Sequence, residues 1–193
     1  MIKFATTWKG LALLAVVLMQ SCASSYQAPD LAQRKRHHRE VAIIPFEVKY
    51  TGAIAAEDLA SEGQELGYQA QQLCYTQFTQ SADKYSVNFQ DVTRTNELLA
   101  EAGLSYQDLF RLSKYELADI LRVDAIIVGN ITSEQPAGSD IMVDLNIYDG
   151  VDSSLMWKLE KSLSGASAAT AEAITDALFE RIPREFPYIS VQP

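Results

Sequence analysis

Apolar residues after position 40 follow two different spacings, which predict both strands and helices. Short apolar runs rich in β-branched residues occur at 41–46 (VAIIPF) and 124–131 (DAIIVGNI), as in buried strands. Apolar and polar residues alternate at 141–147 and 155–163, which is the pattern of strands with one buried face. Residues 57–80 instead repeat apolar positions every three or four residues, which indicates a long amphipathic helix.

Shorter signals complete the order of elements. An alternating run at 85–89 predicts a short strand. Asp91 or Thr93 can cap a helix that ends at Gly103. Ser113 and Glu116 have the spacing of a capping box, in which each side chain satisfies a free backbone N–H. The other predicted features are a short helix opening at 105–108, turns at 136–139 and 149–154, and a last helix at 167–182.

This order predicts one α/β (α+β) domain over residues 41–188. We expect β-α-β-α-α-β-β-β-α, with a mixed five-stranded sheet flanked by helices. Helical segments between the first and third strands favour a crossover and parallel pairing of those two strands. Short turns between the last three strands favour an antiparallel meander. Residues 189–193 form a tail in this interpretation.

The first 21 residues have the build of a bacterial secretory signal peptide. Lys3 and Lys9 form a positive region, and an uncharged apolar stretch follows at 10–19. Such a stretch is too short to cross a bilayer, which takes about 20 residues. An uncleaved membrane anchor is the alternative, and that length disfavours it.

The end of the leader resembles the lipobox of lipoproteins. Leu18-Met19-Gln20-Ser21 precede Cys22, although Met19 stands where leucine is usual and Gln20 is larger than the pattern prefers. We therefore predict cleavage before Cys22 and attachment of acyl chains such as palmitate to it, since stable anchoring takes more than one chain. No aspartate follows Cys22, which favours an outer-membrane lipoprotein whose domain faces the periplasm; the inner membrane remains the alternative.

We predict that residues 22–40 form a lipidated flexible tether, because residues 23–40 are polar and their few apolar residues follow no regular spacing. Arg34-Lys35-Arg36 and Arg39 make it basic. Contact with anionic headgroups or cell-wall polymer is one interpretation, and a solvated lead-in to the first strand is the favoured one. The pair His37-His38 is weak evidence for a metal site.

Charge and cysteine content narrow the function. The chain has a formal net charge of −9, and the leader removes two lysines and no acid, so the mature part is more acidic still. Such a chain repels phosphate backbones, and we expect no nucleic-acid partner. With Cys22 lipidated, Cys74 has no intrachain partner, and its helical setting predicts a buried apolar role.

Four segments together resemble a family of envelope proteins that includes the periplasmic domain of CsgG, LpoB and the N-terminal domain of TolB. They are VAIIPF at 41–46, TNELLAEAG at 95–103, LADILRVDAIIVGNI at 117–131, and VDLNIYDG at 143–150 followed by LMW. The resemblance covers about 41–165. It implies a non-catalytic docking or assembly module with a protein partner in the envelope; homo-oligomerisation stays open. CsgG-like pores carry two long insertions, whereas the connections at 133–140 and 149–154 are short, so a pore is not expected.

Three common catalytic or phosphate-binding motifs are missing from the sequence. It has no G-x-S-x-G, phosphate loop or H-E-x-x-H pattern, and both histidines precede the domain. We therefore predict no enzyme, no cofactor and no metal, with a secretion-assembly subunit and an envelope hydrolase as alternatives. Asp140, Asp144, Asp149 and Asp152 are predicted to be solvated strand and turn acids, not a cation site.

Two further groups of residues have competing interpretations. Glu97 and Glu101 lie on one helical face, which explains them as well as a carboxylate pair would. Tyr148, Trp157 and Tyr188 are predicted to pack in the core, with an exposed aromatic docking patch as the alternative.

Overall fold

The computed structural model describes residues 23–52, 56–135, 141–163 and 170–190. Within these ranges a seven-stranded mixed sheet is flanked by helices, which confirms the predicted fold class. The strands are β1 (Ala23–Gln27), β2 (Glu40–Ile43), β3 (Glu47–Gly52), β4 (Asn88–Phe89), β5 (Ala125–Gln135), β6 (Ile141–Asp149) and β7 (Leu155–Leu163). The helices are α1 (Leu31–Arg34), α2 (Ala56–Thr79), α3 (Val92–Glu101), α4 (Lys114–Leu121), α5 (Ala171–Phe179) and α6 (Ile182–Glu185), with 3₁₀ turns at Ala82–Lys84 and Asp108–Phe110.

The strands lie in the order β1-β7-β6-β5-β2-β4, and β3 also pairs with β5. β5 is parallel to β2 and to β3, and β5, β6 and β7 form an antiparallel meander. Both pairings agree with the sequence prediction. The predicted number of five strands is wrong, for two separate reasons.

The first reason is that the predicted first strand, 41–46, ends early and a separate strand begins directly after it. β2 ends at Ile43 and β3 begins at Glu47, with Pro45 between them, which cannot donate to a ladder. Phe46 instead donates its backbone N–H to the carbonyl of Gly67 in α2, at 3.1 Å. Its ring lies over Gly129 of β5, where an added Cβ would meet the ring at 2.2 Å. Because Gly129 has no side chain, the Phe46 ring fits over β5, and the chain can bend between β2 and β3. We call this bend the kink at Phe46.

The second reason is that residues 23–40 are not a flexible tether. β1 pairs antiparallel with β7, from Ala23 opposite Lys161 to Gln27 opposite Trp157. Ala28 continues the contact by donating its N–H to the Met156 carbonyl at 2.8 Å. The outer edge of β7 offers unpaired backbone groups, and a polar strand satisfies them as well as an apolar one. Polarity alone therefore suggested a tether where the chain forms an edge strand.

Two apolar clusters lie on opposite faces of the sheet. The larger one includes side chains of the sheet together with α2, α5 and α6. Its buried ring-bearing members have at most 2% of their surface exposed; they are Phe46, Phe78, Trp157, Phe186 and Tyr188. The smaller one joins β2 and β5 to α3 and α4 through Ile126 and other residues; its members are Ala42, Ile44, Leu98, Leu99, Leu109, Leu117, Ala118, Leu121, Ile126 and Val128.

Helix ends agree well with the sequence. Asp91 caps α3 by accepting from Thr93 N–H at 2.8 Å, and Ser113 and Glu116 form the predicted capping box of α4. Gly103 follows α3 with φ of 71°, a conformation that glycine adopts without strain. The predicted last helix differs: α5 and α6 are separate, and its start at 167 lies outside the described residues, as does the predicted turn at 136–139.

The contact between Phe46 and Gly129 gives a stability prediction. Gly129→Ala should lower the free energy of unfolding by about 1–3 kcal/mol, because the added methyl group overlaps the Phe46 ring. Urea unfolding monitored by circular dichroism would measure it. Phe46→Leu in the Gly129→Ala background should recover part of the loss by relieving the overlap. An unchanged midpoint for Gly129→Ala would show that the ring is not held over β5.

Candidate functional site

Cys22, the predicted lipid-attachment residue, lies outside the described residues. Ala23, which follows it, is the first residue of β1. The chain runs from there along the β7 edge to α1 and then enters β2 at Glu40. The segment between the predicted anchor and the domain is therefore packed on the sheet, and the side chains of Arg34 and His38 add further contacts.

Arg34 at the end of α1 connects this segment to the turn between β6 and β7. Its guanidinium donates to Asp152 at 2.6 Å and to the Ser154 hydroxyl at 2.8 Å, and its Nε donates to Asp30 at 2.7 Å. Hydrogen bonds from Ser154 and Arg34 lower the pKa of Asp152 to about 2, which keeps this carboxylate charged. The basic cluster of the sequence thus contributes intramolecular ion pairs.

His38 is the most deeply placed polar group of the segment, with 4% of its surface exposed. Its Nδ1 lies 2.6 Å from the hydroxyl of Tyr188, and its Nε2 lies 3.5 Å from Asp149. A neutral ring protonated on Nε2 satisfies this arrangement, because Nδ1 then accepts from Tyr188 while Nε2–H faces the carboxylate. Burial lowers the pKa of His38 below its ordinary value, against the opposing charge of Asp149. We refer to Arg34, His38, Asp149, Asp152 and Tyr188 as the N-terminal clasp.

The prediction that His38 lies in a flexible tether is wrong, because its side chain is buried in the N-terminal clasp. His37 is exposed while His38 is buried, so the two rings do not converge on one site. No group of three or more histidine, cysteine or acidic residues suited to a metal ion occurs among the described residues. The sequence held one signal for this docking: Leu31, the single branched aliphatic residue between 23 and 40, is buried in the larger cluster.

The remaining acidic candidates have protein donors. Asp149 accepts from Val151 N–H at 2.8 Å, and Asp144 accepts from Asn130 at 2.7 Å and also from Asn146. Asp140 lies outside the described residues. Glu97 and Glu101 are exposed and both face Arg94, at 3.6 and 3.8 Å, as expected for a solvated helix face.

The aromatic candidates are core residues. Trp157 and Tyr188 are fully buried and Tyr148 is half-buried, so the predicted core packing is confirmed and the exposed docking patch is wrong. Cys74 is likewise fully buried, and burial raises the pKa of its thiol, which suits the predicted apolar role.

A groove of about 620 Å³ runs along β3. Its floor is β3 from Glu47 to Tyr50, one wall is the first half of α2, and the other wall is formed by residues 106–111. Gly63 of α2 faces Tyr50 and Val48 at 3.2 and 3.5 Å from the position of a Cβ, so the helix approaches the strand closely. Sequence spacing gave no sign of this groove, because its walls come from segments far apart in the chain.

One edge of β3 faces the groove. Tyr106 accepts from the Val48 N–H at 3.2 Å and donates to the Phe46 carbonyl at 2.5 Å; burial raises the pKa of its hydroxyl to about 12, so it remains protonated. Because backbone groups alternate in direction along a strand, the N–H and C=O of Tyr50 point to the same side as those of Val48. β3 therefore presents strand-edge hydrogen-bonding groups beside an aromatic groove.

No described helix combines the length and the apolar character needed to cross a membrane. No protein-family model matches the sequence, and no curated protein matches it.

Solved structures show distant similarity. The dodecamer of PelC from Paraburkholderia phytofirmans is 13% identical over 89% of this chain and 99% of that chain, with a TM-score of 0.47. The C-terminal domain of LpoB from Salmonella enterica is 10% identical over 70% and 93%, with a TM-score of 0.42. Lipoprotein GNA1162 from Neisseria meningitidis is 13% identical over 76% and 98%, with a TM-score of 0.43. Membership in the family suggested by the sequence motifs stays a prediction.

The buried His38 predicts a pH dependence of folding. Its pKa is lowered in the folded state, so the unfolded chain takes up the proton first as the pH falls. The stabilisation is complete above the ordinary pKa of 6.5 and is lost as the pH falls through the lower pKa of the folded state. We expect the free energy of unfolding to decrease as the pH falls below the ordinary pKa of 6.5, and His38→Gln to reduce that decrease.

His37→Gln is the matched control, because His37 is exposed and adjacent. It should leave the pH dependence of urea unfolding as in the parent chain. Equal pH dependence in the parent and in His38→Gln would contradict the neutral, buried state of His38.

Proposed function

We propose that the protein is a non-catalytic envelope lipoprotein, anchored through Cys22, whose domain docks another envelope protein. The anchor rests on the leader: a positive region, a short apolar core and a cysteine at the expected cleavage position. The outer membrane, with the domain in the periplasm, is the location that the residues after Cys22 favour. This part of the proposal depends on sequence alone.

A non-catalytic role is supported by the chemistry of the described residues. The buried histidine is engaged on both ring nitrogens by Tyr188 and Asp149. The raised pKa of Cys74 and its full burial remove it as a nucleophile. The acids that could pair with a base accept hydrogen bonds from backbone and side-chain donors instead. These side chains are engaged in contacts that stabilise the fold, and we infer that none of them acts in catalysis.

The docking role is carried by one observation: among the described strands β3 pairs only with β5, and its other edge lies beside an aromatic groove. A peptide in extended conformation can add to such an edge, with backbone hydrogen bonds giving affinity and alternate side chains entering pockets. Tyr50, Tyr106 and Phe110 line the groove and can contact apolar side chains of that peptide. We therefore propose that the partner contributes an extended segment of its chain to this groove.

The anchor predicts the behaviour of a cysteine variant. Cys22→Ser should abolish incorporation of labelled palmitate and release the protein from the membrane fraction, because serine cannot accept the thioether-linked lipid. Cys74→Ala is the matched control, since Cys74 is buried in the core and should not affect lipidation. Labelled palmitate on Cys22→Ser would contradict the anchor.

The groove predicts site-specific contact with a partner. A photo-crosslinking amino acid at Gln64, an exposed residue of the α2 wall, should give a discrete adduct in intact cells. The same amino acid at Gln69, exposed on α2 but outside the groove, should give none. Mass spectrometry of the adduct should place the crosslink in an extended segment of one envelope protein. Equal adducts from both positions would contradict docking in the groove.

A further inference from the structure

The register of β1 identifies which end of the sheet lies next to Cys22. Ala23 is opposite Lys161 near the end of β7, and Lys161 is opposite Val143 near the start of β6. Gln27, at the other end of β1, is opposite Trp157 near the turn that joins β6 to β7. β1 therefore starts at the end of the sheet where β6 begins and β7 finishes, which we call the proximal end. The turn at 150–154 lies at the opposite, distal end.

Little chain separates Cys22 from the sheet. Neighbouring Cα atoms are about 3.8 Å apart across a trans peptide, so the acylated residue lies one peptide unit from paired backbone. A flexible tether of residues 22–40 would instead span about 20–25 Å and let the domain rotate freely. The observed pairing removes that slack.

Contacts at the distal end keep β1 in place. The N-terminal clasp follows β1 and holds α1 to the β6–β7 turn through Arg34 and to the core through His38. The Lys35 ammonium adds a hydrogen bond to the Pro187 carbonyl at 2.6 Å. Detaching β1 from β7 therefore leaves the chain fixed a few residues later, so separation at the proximal end stays local.

We propose that the lipid on Cys22 holds the proximal end of the sheet directly on the bilayer surface, so that the β6–β7 turn points away from the membrane. This inference rests on the proposed lipidation of Cys22. The proximal end contacts the lipid surface, and the domain has a defined orientation relative to the bilayer. The basic residues Arg34 and Arg39 lie at the distal end, beside Asp152 and Asp124, away from the headgroups.

Two exposed apolar residues mark the two ends. Met142, near the start of β6, is 41% exposed, and Val151, in the β6–β7 turn, is 79% exposed. The strand between them advances about 3.3 Å per residue, so roughly 23 Å of β6 separates position 142 from position 149. A fluorophore at each position therefore reports a different height above the bilayer.

The experiment uses the full-length lipoprotein, purified from membranes and reconstituted into phosphatidylethanolamine–phosphatidylglycerol vesicles with an acceptor dye on a fraction of headgroups. Met142→Cys or Val151→Cys carries the donor dye; acylation blocks Cys22 and burial protects Cys74. Energy transfer to the headgroups should be roughly twofold or more stronger from position 142 than from position 151, given the length of β6 between them.

A matched control restores the tether. Ten glycine and serine residues inserted between Cys22 and Ala23 would span on the order of 16–19 Å while keeping the lipid and the fold. The transfer ratio between the two positions should then fall toward one. Equal transfer in the parent chain, or stronger transfer from position 151, would overturn the orientation. Protein that fails to bind vesicles would instead contradict the lipidation of Cys22, so the two failures are distinguishable.

Discussion

Pairing of β1 with the edge of β7 determines how the N-terminal part of the chain relates to the domain. Without it, residues 23–40 would have no structure of their own, because Leu31 is the only branched aliphatic residue among them. Backbone hydrogen bonds along β7 supply the contact, and they require no particular side chains. The clasp then adds the specific contacts that backbone pairing lacks: Arg34 on Asp152 and His38 on Tyr188. Register along the edge is set by these later contacts and by Ala28.

Local signals explain what the sequence could predict. β5 and β6 have long apolar or alternating runs, and the caps at Asp91 and Ser113 depend on neighbours within three residues, so both were predicted correctly. The missed features depend on distant contacts. The kink at Phe46 needs the space above Gly129, and the burial of His38 needs Tyr188, which lies 150 residues later in the chain. No window of sequence contains both partners, and a polar composition describes an edge strand and a tether equally well.

Burying a histidine at the entry to the sheet has a cost that its neighbours offset. The neutral ring must leave water, but Nδ1 has a hydrogen bond to Tyr188 and Nε2 lies 3.5 Å from the Asp149 carboxylate, so both ring nitrogens face a polar partner. The arrangement also limits chemistry. A ring whose Nδ1 is bonded to a buried phenol cannot also orient or deprotonate a substrate hydroxyl, and its lowered pKa disfavours proton transfer to it at neutral pH. Packing thus separates this histidine from a catalytic role.

Two strand edges of the sheet therefore differ in their availability to a partner. At one edge, β1 pairs with β7, so the edge of β7 is no longer available to another protein. At the other edge, the backbone groups of Tyr50 in β3 lie beside the groove, where an added strand would meet aromatic side chains. Lys49 and Tyr50 pair with Thr132 and Ser133 near the end of the sheet where β1 begins. An anchored domain would therefore present the groove sideways and near the bilayer.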